Sequence, residues 1–189
     1  MTTQPNPPEP WEAPMPGGVP RGRELDTLLN FRAVDGMKEA VEACYRLLRG
    51  ETWCAFLIGG FGNGKTHLAI GTLNQWTMSG RGHAHFVKLP DWLALMRKHA
   101  VPDEGQVDSE YLLDNYVAVP MLALDDLGAE RATEYGGEQL YRLLDRRSDA
   151  RRPTIVTSNA GVGTLDPRIV SRLREGLVVC RAPDVRGKL

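Results

Sequence analysis

The sequence predicts an α/β fold, a three-layer α/β/α domain around a parallel five-stranded sheet, and three observations predict it. Short apolar runs alternate with stretches of helical period along most of the chain, a pattern that buries each strand between two helical layers joined by right-handed crossovers. The apolar run Ala55-Phe56-Leu57-Ile58 leads straight into Gly59-Gly60-Phe61-Gly62-Asn63-Gly64-Lys65-Thr66, a G-x-x-x-x-G-K-T loop at a strand-to-helix turn. A second run, Val119-Pro120-Met121-Leu122-Ala123-Leu124, ends in Asp125 and Asp126, as expected of a buried parallel strand that delivers polar groups to one edge of its sheet.

Residues 1–24 carry Pro5, Pro7, Pro8, Pro10, Pro14, Pro16 and Pro20 with Gly17-Gly18. Proline removes backbone donors and little in this stretch can be buried, so it is expected to form a flexible or polyproline-like arm before one domain over 25–189. A helix is expected over 35–49, where Met37, Ala40, Val41, Cys44, Leu47 and Leu48 recur at helical spacing and Gly50 ends the run. The order then reads strand 52–58, helix 65–78, strand 83–88, helix 91–99, strand 119–125, helix 135–148, strand 154–158, a short helix near 167–174 and strand 177–181. No internal repeat is present.

The 189 residues, 42% of them hydrophobic and 25% charged, suit a single core. A net charge of −1 excludes a generally basic nucleic-acid coat, so any nucleic-acid contact is expected to be a local patch. Cys44, Cys54 and Cys180 are widely spaced and form no C-x-x-C pair, which points to reduced core thiols. No stretch approaches the apolar length of a membrane span and the first residues lack the signature of a signal peptide, so a cytoplasmic protein with no membrane partner is expected.

The motifs define the chemistry. The loop glycines let successive backbone N–H groups turn inward around phosphate oxygens, Lys65 reaches the β and γ phosphates, and the Thr66 hydroxyl ligates Mg²⁺. The helix that starts there, beginning with Lys65, Thr66 and His67, points its positive end at the same anion. Asp125 is expected to hold Mg²⁺ through water and Asp126 to act as the base on the attacking water. Asn159, at the end of strand 154–158, can place an amide beside the γ-phosphate between the first and third strands. Arg168, Arg172 and Arg174 lie on a short helix, and an arginine donated to a neighbouring subunit's γ-phosphate is a recurring switch in such enzymes. His83 and His85 share a strand face but have no third ligand at suitable spacing, so ordinary packing is expected of them.

The P-loop with its following His67-Leu68-Ala69, the run Leu124-Asp125-Asp126-Leu127-Gly128-Ala129-Glu130, the strand Pro153-Thr154-Ile155-Val156-Thr157-Ser158-Asn159 and the element Ser171-Arg172-Leu173 resemble the AAA+ ATPase domain of bacterial helicase loaders of the DnaC/DnaI type. They are also similar to IstB transposition ATPases and, more distantly, to DnaA, over roughly residues 30–181. The resemblance implies an AAA+/ASCE P-loop NTPase that uses ATP and Mg²⁺. It implies a Walker A motif at 59–66, a Walker B motif at Asp125 and Asp126, a first sensor at Asn159, an arginine finger at Arg172 with Arg168 as second candidate, and self-association through Arg172. Phe31 and Arg32 resemble the adenine-side segment. Thr133 and Tyr135, in the loop after the Walker B motif, match positions where such loaders touch single-stranded DNA; from the residues themselves, Tyr135 offers a stacking face, Arg131 and Thr133 offer phosphate contacts, and Arg97 and Lys98 sit on the helix before the other variable loop. With only eight residues after 177–181, the resemblance implies no C-terminal helical lid. It further implies replicative helicase as a partner. The same motifs are compatible with a transposition helper that binds duplex DNA, and with a nucleotide-gated adaptor that barely turns over.

Overall fold

The computed structural model describes residues 19–20, 22–31, 35–102, 107–128 and 133–184. The greater part of the proline-rich arm, Arg32 and Arg131 lie outside the described residues. All five strands are parallel: β1 Cys54–Gly59, β2 Ala84–Lys88, β3 Met121–Leu127, β4 Thr154–Ser158 and β5 Leu177–Cys180, in the spatial order β2-β3-β4-β1-β5. Because side chains alternate across a strand, each strand feeds two cores. Phe56, Ile58, Leu122, Leu124 and Val156 face one, under helices α3 (Leu89–Lys98), α4 (Ser109–Ala118), α5 (Glu134–Asp149) and α6 (Pro167–Leu173). Ala55, Leu57, Met121, Ala123 and Ile155 face the other, under α1 (Lys38–Arg49) and α2 (Lys65–Met78). This is the expected P-loop NTPase architecture of three layers, and it explains why β1 and β3 read as unbroken apolar runs: both faces are covered.

Element boundaries shift for local reasons. Strand β3 begins at Met121, not Val119, since Pro120 has no N–H to give the ladder. Helix α3 begins at Leu89, two residues before Asp91, with Pro90 in its first turn, where proline's missing donor is harmless. The sequence reading has no element between that helix and β3, yet α4 is there. Its signals are an Asp108 side chain that accepts from Tyr111 N at 2.8 Å and the buried Leu112, Leu113 and Tyr116 behind it.

The C-terminus of α4 is held in an unusual way. Pro120 cannot return a hydrogen bond to the Tyr116 carbonyl, so the last carbonyls of the helix need other donors. Arg147 of α5, wholly buried, donates Nη1 to Tyr116 O, Val117 O and Val119 O (2.9, 3.0 and 2.8 Å), Nη2 to Pro153 O (2.7 Å) and Nε to Thr154 Oγ1 (2.8 Å). Arg152 Nη1 donates to Ala118 O at 2.7 Å. Two arginines thus tie α4 to the start of β4. Cys44, Cys54 and Cys180 are buried and free, as expected. Burial pushes the Cys44 and Cys54 thiols up to about 12 and Cys180 to about 11. No helix among the described residues is long and apolar enough to cross a membrane.

Candidate nucleotide site

The strand order brings the motifs together. Strand β4 lies between β1, which runs into the loop, and β3, which ends in the carboxylates, so Gly59, Asp125, Asp126 and Asn159 all emerge at the C-terminal edge of the sheet. That edge is where open parallel sheets bind ligands.

The loop from Gly59 to Thr66 opens directly into α2. Lys65 is buried, and its ammonium is folded onto the loop, donating to Gly59 O (2.9 Å), Gly60 O (2.6 Å) and Asn63 Oδ1 (2.9 Å). Asn63 is itself buried and donates Nδ2 to Cys180 O at 3.4 Å, fastening the loop to β5. Phe61 is exposed and forms one wall of a cleft of about 220 Å³, with Asp126, Leu127, Gly128, Asn159 and Ala160 around it. Gly64 is at φ 95°, and a β-carbon there would stand 2.6 Å from the Phe31 ring. Only glycine combines that backbone with that neighbour. Phe31 also packs on His67, with ring centroids 5.3 Å apart.

Across the cleft, Asp125 is buried and touches the loop: Thr66 Oγ1 donates to its Oδ1 at 2.9 Å. Thr157 Oγ1 donates to the same oxygen at 2.6 Å. Burial holds the Asp125 carboxyl above the usual carboxylate range, against the pull of the bonds from Thr157 and Thr66. A desolvated carboxylate served only by hydroxyls, with a threonine hydroxyl beside it, fits Mg²⁺. That ion takes oxygen ligands, needs few from the protein and brings water and phosphate oxygens for the rest. Among the described residues there is no cluster of three or more His, Cys, Asp or Glu that could hold a metal ion. His85 packs edge-on against Tyr116, centroids 5.5 Å apart.

Asp126 is half-buried in the cleft at φ 67°, an uncommon conformation for a residue with a side chain. Asn159 Nδ2 donates to its Oδ1 at 2.6 Å. Arg172 and Arg168 lie in the helical layer opposite α2. Arg172 pairs with Asp145 and donates to the Tyr141 hydroxyl at 3.2 Å, both on α5, while Arg168 is exposed and pairs with Asp166 at 2.9 Å.

Residues 51–170 match the family described as IstB-like ATP binding protein. The chain belongs to that family. The IstB-like chain is 28% identical over 149 residues to the replicative helicase loader DnaC of Buchnera aphidicola subsp. Schizaphis graminum, an alignment covering 75% of this chain and 60% of that one. It spans about half the length, 47% to 60%, of the curated DnaC relatives it matches. Among solved structures it superposes on DnaI with a TM-score of 0.68 and 25% identity, covering 88% of this chain and 94% of that one. On the replication initiator DnaA bound to AMPPCP and single-stranded DNA the TM-score is 0.72, with 23% identity and 83% and 50% coverage. The fold is therefore that of an AAA+ P-loop domain.

The remaining candidates of this IstB-like domain fall elsewhere. Arg97 and Lys98 are exposed in the last turn of α3. Thr133 is the N-cap of α5, accepting from Gly136 N at 3.1 Å. Tyr135 is half-buried on the first core and donates its hydroxyl to Met96 O at 3.2 Å, so its ring packs α5 against α3. Two features escape sequence reasoning. One is Thr157, whose strand position gives no hint of what its hydroxyl touches. The other is residues 22–31, which lie across α2: Asn74 Nδ2 donates to Arg23 O and Asp26 O (3.0 and 2.8 Å), His67 Nε2 stands 3.3 Å from Thr27 O, and Gly71 leaves no room for a β-carbon against Thr27. The spacing of His67, Gly71 and Asn74 on one helix face is the signal that could reveal it.

Proposed function

We propose that this chain is a Mg²⁺-dependent ATPase of DNA replication, a helicase loader acting in the cytoplasm that binds single-stranded DNA when ATP is bound. The observation that carries the reading is the bond from Thr66 to Asp125, 59 residues apart in sequence, with Asp126 and Asn159 paired beside it. In the reaction Lys65 exchanges its loop carbonyls for phosphate oxygens, and Thr66 and Asp125 hold the ion. Mg²⁺, when bound, neutralises charge on the transferring phosphoryl group. Asp126 takes the proton of the attacking water, Asn159 orients that carboxylate and the water, and Arg172 acts on the nucleotide of a neighbouring subunit. The Phe31 and His67 rings stand beside Gly64 and supply the base-side wall.

Support for the replication role comes from the relatives named as replicative helicase loaders and from DnaA, solved with single-stranded DNA. Membership of the IstB-like ATP binding family keeps open the second reading that the resemblance to IstB ATPases implies, a transposition helper on duplex DNA. Steady-state ATPase and nucleotide-binding assays test the chemistry. Lys65→Ala is expected to abolish binding, and Asp126→Asn to keep binding while losing about 10²-fold or more in turnover. An Asp126→Asn protein that hydrolyses ATP normally defeats the base assignment. Fluorescence anisotropy with labelled oligonucleotides tests the nucleic acid: preference for single strands in the presence of ATP supports the loader, and equal or better duplex binding moves the reading to the transposition helper.

A further inference from the structure

We propose that Thr157 is a positioning residue that sets both carboxylates of the site through one hydroxyl; this rests on the ATPase reading above. The pairing of β3 with β4 runs Leu124 opposite Val156 and then Leu127 opposite Ser158. Two residues of β3, Asp125 and Asp126, therefore stand where β4 has the single residue Thr157. This is a β-bulge, and it leaves one backbone group of the wider strand without its ladder partner.

The Thr157 hydroxyl fills that gap. Its oxygen accepts from Asp126 N at 3.1 Å and its hydrogen goes to Asp125 Oδ1 at 2.6 Å. The side chain is 1% exposed, so water cannot replace it. One bond holds the Asp126 backbone at its positive φ and the other holds the Asp125 oxygen that Thr66 also reaches. A group with one strong donor and one strong acceptor at the β-carbon is required, and the hydroxyl of serine or threonine supplies it. Valine has nearly the same shape and neither function. Ser158 closes the bulge beyond, donating to Leu127 O at 2.6 Å, so the distortion is confined to the two carboxylates.

Thr157→Val and Thr157→Ser separate the hydroxyl from packing. Turnover in Thr157→Val should fall about tenfold or more, because the half-buried Asp126 N–H loses its acceptor and Asp125 loses the shortest of its hydrogen bonds. Affinity for a fluorescent ATP analogue without Mg²⁺ should change less than about twofold, since the loop is untouched, while half-saturation with Mg²⁺ should rise several-fold. Thr157→Ser should recover most of each loss. In the nucleotide-free protein, hydrogen exchange followed by NMR should show the Asp126 amide protected in wild type and Thr157→Ser and about tenfold less protected in Thr157→Val. Normal turnover in Thr157→Val, or equal damage in the serine variant, overturns the proposal. A wild-type protein that does not hydrolyse ATP ends the ATPase reading instead, and the positioning claim is then judged by Mg²⁺ half-saturation and amide exchange: both unchanged in Thr157→Val overturns it, both shifted upholds it.

Discussion

Replacing Arg147 by methionine should be among the most damaging single changes outside the nucleotide site. Methionine fills a similar length of buried space without the guanidinium. Of the five acceptors Arg147 serves, two keep other partners: Pro153 O still accepts from Leu122 N at 3.1 Å, and Thr154 Oγ1 still donates to Arg152 O at 2.9 Å. Tyr116 O, Val117 O and Val119 O lose the donor that Arg147 supplies. Each such bond lost without replacement costs up to about 1–3 kcal/mol. Against this, the fold no longer buries an unpaired cation, whose pKa burial pushes down to about 9, with Arg152's charge adding to the effect. Three such losses come to about 3–9 kcal/mol, removing the buried cation takes back several kcal/mol, and the net loss is roughly 3 kcal/mol, a large part of a typical domain's stability of about 5–15 kcal/mol. Arg152→Met removes one bond, from a half-buried side chain, and should cost about 1 kcal/mol. Urea unfolding followed by circular dichroism measures both. A loss below about 1 kcal/mol for Arg147→Met, with an unchanged slope, would refute the argument that the guanidinium closes the end of α4.

Other outcomes follow from the same geometry. Burial raises the Asp125 pKa, so the folded state favours its protonated form; that contribution is fully present below the ordinary carboxylate pKa and is lost as pH rises through the raised value. Asp125→Asn should therefore raise the melting temperature of the nucleotide-free protein at neutral pH while weakening Mg²⁺-dependent nucleotide binding, and a lowered melting temperature would count against this account. Arg172→Ala should bind ATP normally and hydrolyse it about 10³-fold more slowly or worse, with activity partly restored on mixing with Lys65→Ala; no recovery on mixing would argue against a shared site. Replacing Arg97 and Lys98 by glutamine should lower single-strand affinity and reduce its salt dependence by about one unit for each phosphate no longer neutralised, whereas an unchanged salt slope would remove them from the interface. Tyr135→Phe should cost about 1 kcal/mol of stability through the missing bond to Met96 O, measured by the same urea unfolding, while its ring can still stack.

The loop at 59–66, the paired carboxylates and the alternation of strands and helices are all legible along the chain, because each depends on residues adjacent in sequence or on a local period. The unbroken apolar runs also carry the burial of β1 and β3 on both faces. Helix α4, no shorter than α3, was within reach of the same reasoning through Asp108 and the Leu112, Leu113 and Tyr116 stripe. The register of the strands is another matter. That β4 enters between β1 and β3 agrees with the place expected for Asn159, but the register of that pairing is a property of the packed sheet, and it sets Asn159 against Asp126 and Thr157 against both carboxylates. The bulge has no sequence signature, since a register shift exists only between two paired strands. The caps on α4 are likewise donors from Arg147 and Arg152, about 30 residues away in sequence, and the segment 22–31 finds its place only on the finished surface of α2. Local chemistry named the candidate groups of the site; long-range pairing, which no window of sequence contains, set where those groups stand.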